Sequence, residues 1–201
     1  MQRRALVALG VLTTASALVL GSTFAGDMEP KLGEAAPAFT LQDQTGKMVN
    51  LSDFAGKVVV LEWLNPECPF VVRHYKAKTM STLVDKYKDK NVVWLAINST
   101  NTATSEFNGS WVSENSLTYP ILNDREGKVG KLYGAKTTPH MYVIDPSGKL
   151  VYRGAIDDDP SGQNGGKGVN YVDQALDEVL AGKAVSVPET KSYGCSVKYA
   201  A

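Results

Sequence analysis

Thiols and imidazoles are scarce in this sequence. Its 201 residues hold two cysteines, Cys68 and Cys195, and two histidines, His74 and His140. Two cysteines are too few to frame a disulfide-rich scaffold. Charge of one sign is also missing. Lysine plus arginine and aspartate plus glutamate balance at 21 each. No basic stretch stands out after the first residues, which argues against a nucleic-acid partner. Long apolar runs are confined to residues 5–20, short for a span of about 20 residues, and no cysteine follows to carry a lipid. No internal repeat is visible.

What is present begins with an export pattern. Arg3 and Arg4 precede the apolar run, and Thr23-Phe24-Ala25 offers small residues where a signal peptidase reads. The layout predicts a signal peptide over residues 1–25 and a mature form that does not span the membrane, periplasmic or secreted. A linker over 26–32, one domain over 33–182 and a C-terminal tail over 183–201 follow, a length that suits a single core. An oxidising compartment would permit a disulfide between the two cysteines.

Residues 38–42 and 48–51 read as a hairpin around Asp43-Gln44-Thr45-Gly46. Residues 52–56 read as one helical turn capped by Ser52 or Asp53. Residues 57–64, rich in valine, suit a strand buried on both faces. Met80, Leu83, Val84 and Tyr87 have the spacing of a helix face and predict one long helix. Residues 91–98 are a second buried strand. A helix entered through Ser105, a short strand over 118–122, a weak helix over 124–133 and a hairpin around Pro146-Ser147-Gly148 come next. Residues 157–168, polar and rich in Asp and Gly, predict a flexible loop or lid. A helix over 171–180 and an extended tail from 185 complete the chain. The alternation predicts an α/β domain, a central mixed β-sheet flanked by helices with an N-terminal β-hairpin extension.

The chemistry centres on Asn65-Pro66-Glu67-Cys68-Pro69-Phe70, which joins the first central strand to the helix. Proline after the cysteine fits a first helical turn. Cys68 therefore lies at a helix N-terminus, where free N–H groups and the dipole favour a thiolate, and Arg73 and His74 would add positive potential. The bland alternative is a buried, inert cysteine.

Residues 58–75, Thr137-Thr138-Pro139 and the following Val143-Ile144-Asp145-Pro146-Ser147-Gly148 resemble the thioredoxin-like superfamily, in particular its exported redoxin branch of alkyl hydroperoxide reductase/thiol-specific antioxidant domains. The resemblance runs over about residues 33–158. It implies a thioredoxin-like fold, no cofactor, and an exported thiol–disulfide oxidoreductase in which Cys68 is the attacking thiol. Protein or small-molecule disulfides, or peroxides, would be its partners, with an external thiol as reductant. Thioredoxins carry Cys-x-x-Cys at this junction, and here the second position is Val71. Glu62 matches the family's buried carboxylate, whose pKa burial should raise into a range useful for proton transfer; the plainer reading pairs it with a lysine. Pro139 matches the cis-proline that presents the backbone of Thr138 to an extended chain.

Peroxidases of this branch place Thr or Ser three residues before the cysteine and an arginine near the later strand. Asn65 and Pro139 stand there instead, leaving Arg73 as a substitute for binding substrate. Cys195 is the other thiol, a resolving cysteine, a structural disulfide partner or an unpaired tail thiol. Such a bond would join positions 127 residues apart, worth about 5 kcal/mol in chain entropy. The alternatives are a peroxiredoxin-like peroxidase with Cys68 peroxidatic and Cys195 resolving, and a redox-inert module holding a peptide beside Pro139. His74 and His140 do not make a metal site without the close cysteine pair that copper-binding relatives use. The Asn-x-Ser/Thr positions at Asn98 and Asn108 read as surface-loop composition, and Trp63, Trp94 and Trp111 as core.

Overall fold

The computed structural model describes residues 29–165 and 167–201, so the expected signal peptide and most of the linker lie outside the described residues. Strands β1 (Thr40–Asp43) and β2 (Met48–Asn50) form the hairpin, its turn closed by the Asp43 carboxylate accepting from the Thr45 and Lys47 N–H groups. The turn at Leu51–Phe54 is a short 3-10 helix. Its cap is Asn50, not Ser52 or Asp53: the Asp53 carboxylate reaches back to the Asn50 N–H at 3.0 Å. Every residue of β3 (Val58–Trp63) is buried.

The predicted long helix is two helices, α1 (Pro69–Lys76) and α2 (Thr79–Tyr87). Lys78 sits between them at φ +58°, a left-handed conformation costing a non-glycine residue roughly 1–2 kcal/mol. The apolar spacing survives on α2 alone, burying Met80, Leu83 and Tyr87. After β4 (Val92–Asn98) comes α3 (Ser105–Glu114), capped by Thr104 rather than entered through Ser105, with Thr104 Oγ1 accepting from the Phe107 N–H. Strand β5 (Ile121–Asn123), α4 (Lys128–Tyr133), β6 (Thr137–Thr138), β7 (His140–Ile144), β8 (Leu150–Gly154), α5 (Tyr171–Leu180) and β9 (Cys195–Ser196) follow.

Seven strands form one mixed sheet in the order β2-β1-β5-β4-β3-β7-β8. Strands β3, β4 and β5 are parallel, joined through helices, and β7 runs antiparallel to β3. Alternation along β3 builds two cores. Val59, Leu61 and Trp63 face one with Tyr133 and Tyr142, while Val58, Val60 and Leu64 face the other with Cys68, Val71 and Leu176. Each aliphatic side chain so buried contributes about 1.5–3 kcal/mol. Glu62 lies two residues from both Val60 and Leu64, so the carboxylate enters the face that also carries Cys68.

Asn98 and Asn108 correct the surface reading. Both are fully buried, and Asn98 Nδ2 donates to Asn108 Oδ1 at 2.9 Å. Residues 157–165 of the expected loop are folded onto the domain rather than loose. The Asp159 carboxylate accepts from the N–H groups of Gln163 and Asn164 and from the Ser161 hydroxyl. Among the described residues no helix is long and apolar enough to cross a membrane.

Candidate active site

Asn65 shapes the approach to Cys68. Its side-chain oxygen accepts from the Glu67 N–H and its carbonyl from the Cys68 N–H, both at 2.9 Å. The position where a peroxidase would present a hydroxyl is thus spent on a turn. Cys68 then caps α1 with extended backbone, φ −80° and ψ 120°, and Pro69 opens the helix. The thiol is 1 % exposed.

Opposite it stands a cis Thr138–Pro139 peptide. Cys68 Sγ donates to the Thr138 carbonyl at 3.0 Å. Thr138 also pairs with Cys195, because β9 lies antiparallel on β6 with Thr138 opposite Cys195 and Thr137 opposite Ser196. The two thiols are neighbours that influence each other's ionisation and are not bonded to each other. The tail thus places a second thiol beside Cys68, while Val71 stands at the position on α1 where thioredoxins carry theirs.

Their electrostatics differ. Burial pushes the Cys68 thiol up, but the polar groups gathered round it, the Cys195 side chain first, then Thr138 and the Val71 and Cys195 amides, favour the thiolate, outweigh burial and hold the thiol below its ordinary value. The Thr138 hydroxyl is buried and has no hydrogen-bond partner, so its proton is free for a thiolate. Burial and the adjoining Cys68 push Cys195 up to about 11. Of the pair, Cys68 gives up its proton first. Arg73 is not the reason, contrary to the reading from sequence. Its guanidinium donates to the carbonyls of Pro160 and Asp159 at 2.9 and 3.0 Å and lies over the rings of Phe70 and Tyr193. It fastens the 157–168 loop and the tail to α1, and offers its donors to neither sulfur.

Glu62 is completely buried and meets no lysine. Trp94 Nε1 donates to its Oε2 at 2.8 Å and the Tyr75 hydroxyl to its Oε1 at 3.0 Å, with Tyr119 hydrogen-bonded to Tyr75. Desolvation raises its pKa to about 7 against the pull of those two donors, in the range where a carboxyl both gives and takes protons at neutral pH.

Apolar Tyr193 and Tyr199 fit a tail that docks on the domain, while Gly194 and Thr190 carried no signal in the reading from sequence. Gly194 adopts φ +131°, and a Cβ there would collide with the Thr138 carbonyl. Only glycine lets the tail approach the cis-proline loop so closely. The Tyr193 hydroxyl bonds His74 Nε2 at 3.0 Å and the Asp157 carboxylate, and its ring packs near Phe70. On either side of Cys195 the tail is stitched down. Thr190 Oγ1 bonds the Tyr152 hydroxyl and the Ala155 N–H, and the Tyr199 hydroxyl donates to the Ala135 carbonyl. Glycine directly before the cysteine, in Tyr193-Gly194-Cys195, was the available clue. The groove beside Pro139, expected to hold an external peptide, holds the chain's own β9. His74 and His140 are separately engaged, His140 Nδ1 accepting from the Lys136 N–H. No group of three or more metal-ligating side chains occurs among the described residues.

A strand–helix junction with a low-pKa cysteine, a cis-proline opposite it and a buried carboxyl beneath the helix define a thiol-dependent oxidoreductase of thioredoxin-like fold. Residues 32–153 match the AhpC/TSA family, to which the chain belongs. The thiol-disulfide oxidoreductase ResA of Bacillus cereus is 31 % identical over 135 residues, which covers 64 % of this chain and 72 % of that protein. A hypothetical protein from Sinorhizobium meliloti superposes with a TM-score of 0.77 at 31 % identity, over 87 % of this chain and 97 % of that one. The thioredoxin domain of a thiol-disulfide oxidoreductase from Bacteroides vulgatus shares the fold, with a TM-score of 0.53 at 24 % identity over 61 % and 87 % of the two chains.

Proposed function

We propose that this protein is an exported thiol–disulfide oxidoreductase that cycles between a Cys68/Cys195 dithiol and an intrachain disulfide. The observation that carries the reading is the register of β9: Thr138 accepts from Cys68 Sγ and pairs with Cys195, so one residue brings both sulfurs together. The substrates would be protein or small-molecule disulfides, consistent with the activity named for the ResA relatives, and an external thiol would restore the dithiol. Glu62 would accept and return protons as the pair is oxidised and reduced. Export to the periplasm or beyond is supported by the pattern of residues 1–25.

The test is thiol titration with intact mass on the purified protein. One equivalent of diamide should remove both thiols and two mass units from the monomer, and Cys195→Ser should abolish that loss. If both thiols of the wild type survive, the pairing is wrong.

A further inference from the structure

The two sulfurs differ in access. Cys68 is buried among Leu64, Val71 and neighbours of the helical core, between the Thr138 carbonyl and Cys195. Cys195 lies on the tail and is half-buried. Thiol–disulfide exchange needs the entering thiolate to approach one sulfur in line with the bond that breaks. Cys68 is enclosed by the core, whereas Cys195 packs against that core on one side and keeps part of its surface open, so an entering thiolate reaches Cys195 more readily.

Resting on the reading that the two cysteines pair, we propose that Cys195 is the sulfur that exchanges with external thiols, while Cys68 is the internal thiol that departs on reduction and attacks on oxidation. An entering thiolate RS⁻ bonds to Cys195 Sγ. The bond to Cys68 breaks, and its electron pair stays on Cys68 as a thiolate. A second RS⁻ attacks the R sulfur of the mixed disulfide, forming RSSR and releasing Cys195. Both cysteines end protonated, with protons drawn from the two RSH, so two electrons enter the chain for each RSSR formed. Oxidation by RSSR runs the same steps backwards, and Cys68 closes the pair by attacking Cys195. The Val71 and Cys195 amides, the Thr138 hydroxyl and the Cys195 side chain around Cys68 make it the better leaving group, which favours the same direction. This moves the external exchange away from the helix-terminal cysteine, where the sequence resemblance placed it. The partner is a thiol slim enough to reach a half-buried sulfur.

The probe is reduced glutathione. Wild-type protein closed with one equivalent of diamide receives a brief, substoichiometric pulse, is quenched in acid, alkylated with N-ethylmaleimide, digested and mapped by mass. Glutathione should lie on the Cys195 peptide and the maleimide on the Cys68 peptide, by at least about tenfold over the reverse. Gly194→Ala, which displaces the tail, should bring that ratio towards one. Glutathione found mainly on Cys68 of the wild type overturns the proposal while leaving the pairing intact. If diamide closes no bond, the pairing fails and this inference falls with it.

Discussion

The β3–α1 junction and the C-terminal tail deliver one thiol each to the same place by opposite means. The junction is built into the centre of the sheet. Its strand is buried along its whole length, its turn is set by Asn65, and its helix opens on Pro69. The tail contributes a two-residue strand held by hydrogen bonds and by the packing of Tyr193 and Tyr199. One sulfur is fixed by the core; the other is carried by a tail segment held by hydrogen bonds and by half-buried side chains. A thiol pair arranged this way can hold its reactive member still and let its partner move.

The harshest way to break the comparison is to deny the tail its close approach. Gly194→Ala places a Cβ against the Thr138 carbonyl, so β9 must leave its register. Closure of the disulfide by diamide should slow by about 100-fold, since a loosely tethered thiol loses the advantage of orientation. Thermal stability should fall by only about 1–3 kcal/mol, because the sheet is untouched. Quenched-flow alkylation measures the first and denaturant unfolding the second. Closure at the wild-type rate would show that the register of β9 is irrelevant to pairing.

The junction side has its own signature in pH. The folded pKa of Glu62 is about 7 against an ordinary 4.5, because burial opposes its charge. The folded state therefore holds the proton more tightly than the unfolded one. Stability from this group is full below about pH 4.5 and is lost as pH rises through about 7, by roughly 3 kcal/mol in all. Glu62→Gln should flatten that slope in urea unfolding followed from pH 4 to 8, and should slow exchange at neutral pH without changing closure geometry. A slope identical to wild type would mean that Glu62 titrates normally.

The same division governs what could be read from the sequence. The sheet, the alternation of strands and helices and Cys68 at a helix start were legible because apolar periodicity and proline punctuation act locally, and the Glu62 carboxyl came from the resemblance to the thioredoxin-like superfamily. The break at Lys78 was not, since a lysine at positive φ leaves no mark in the spacing of Met80, Leu83 and Tyr87. Asn98 and Asn108 misled for a related reason: their burial depends on each other, across ten residues. Arg73 was assigned to the thiol by proximity along α1, while its donors turn to carbonyls 86 and 87 residues away. That Cys195 could reach Cys68 followed from counting thiols; where it would sit depended on a pairing with Thr138 that no local pattern encodes.

The gentlest test asks how much of the tail's hold rests on one side chain. Tyr193→Phe keeps the ring near Phe70 and removes only the hydroxyl, which bonds His74 Nε2 and the Asp157 carboxylate. A hydrogen bond to a charged group is worth about 1.5–3 kcal/mol, and a neutral one about 1 kcal/mol. Water will resolvate Asp157, which is partly exposed, so a net loss of about 1–2 kcal/mol is expected. If the tail opens as its own unit, that loss raises its open population by about tenfold and should speed iodoacetamide labelling of the buried Cys68 by the same factor. The midpoint of global unfolding should shift much less, because the sheet does not depend on Tyr193. If labelling and global unfolding instead change in step, the tail is not a separate element but part of the same cooperative unit as β3, and the contrast between a fixed thiol and a movable one disappears.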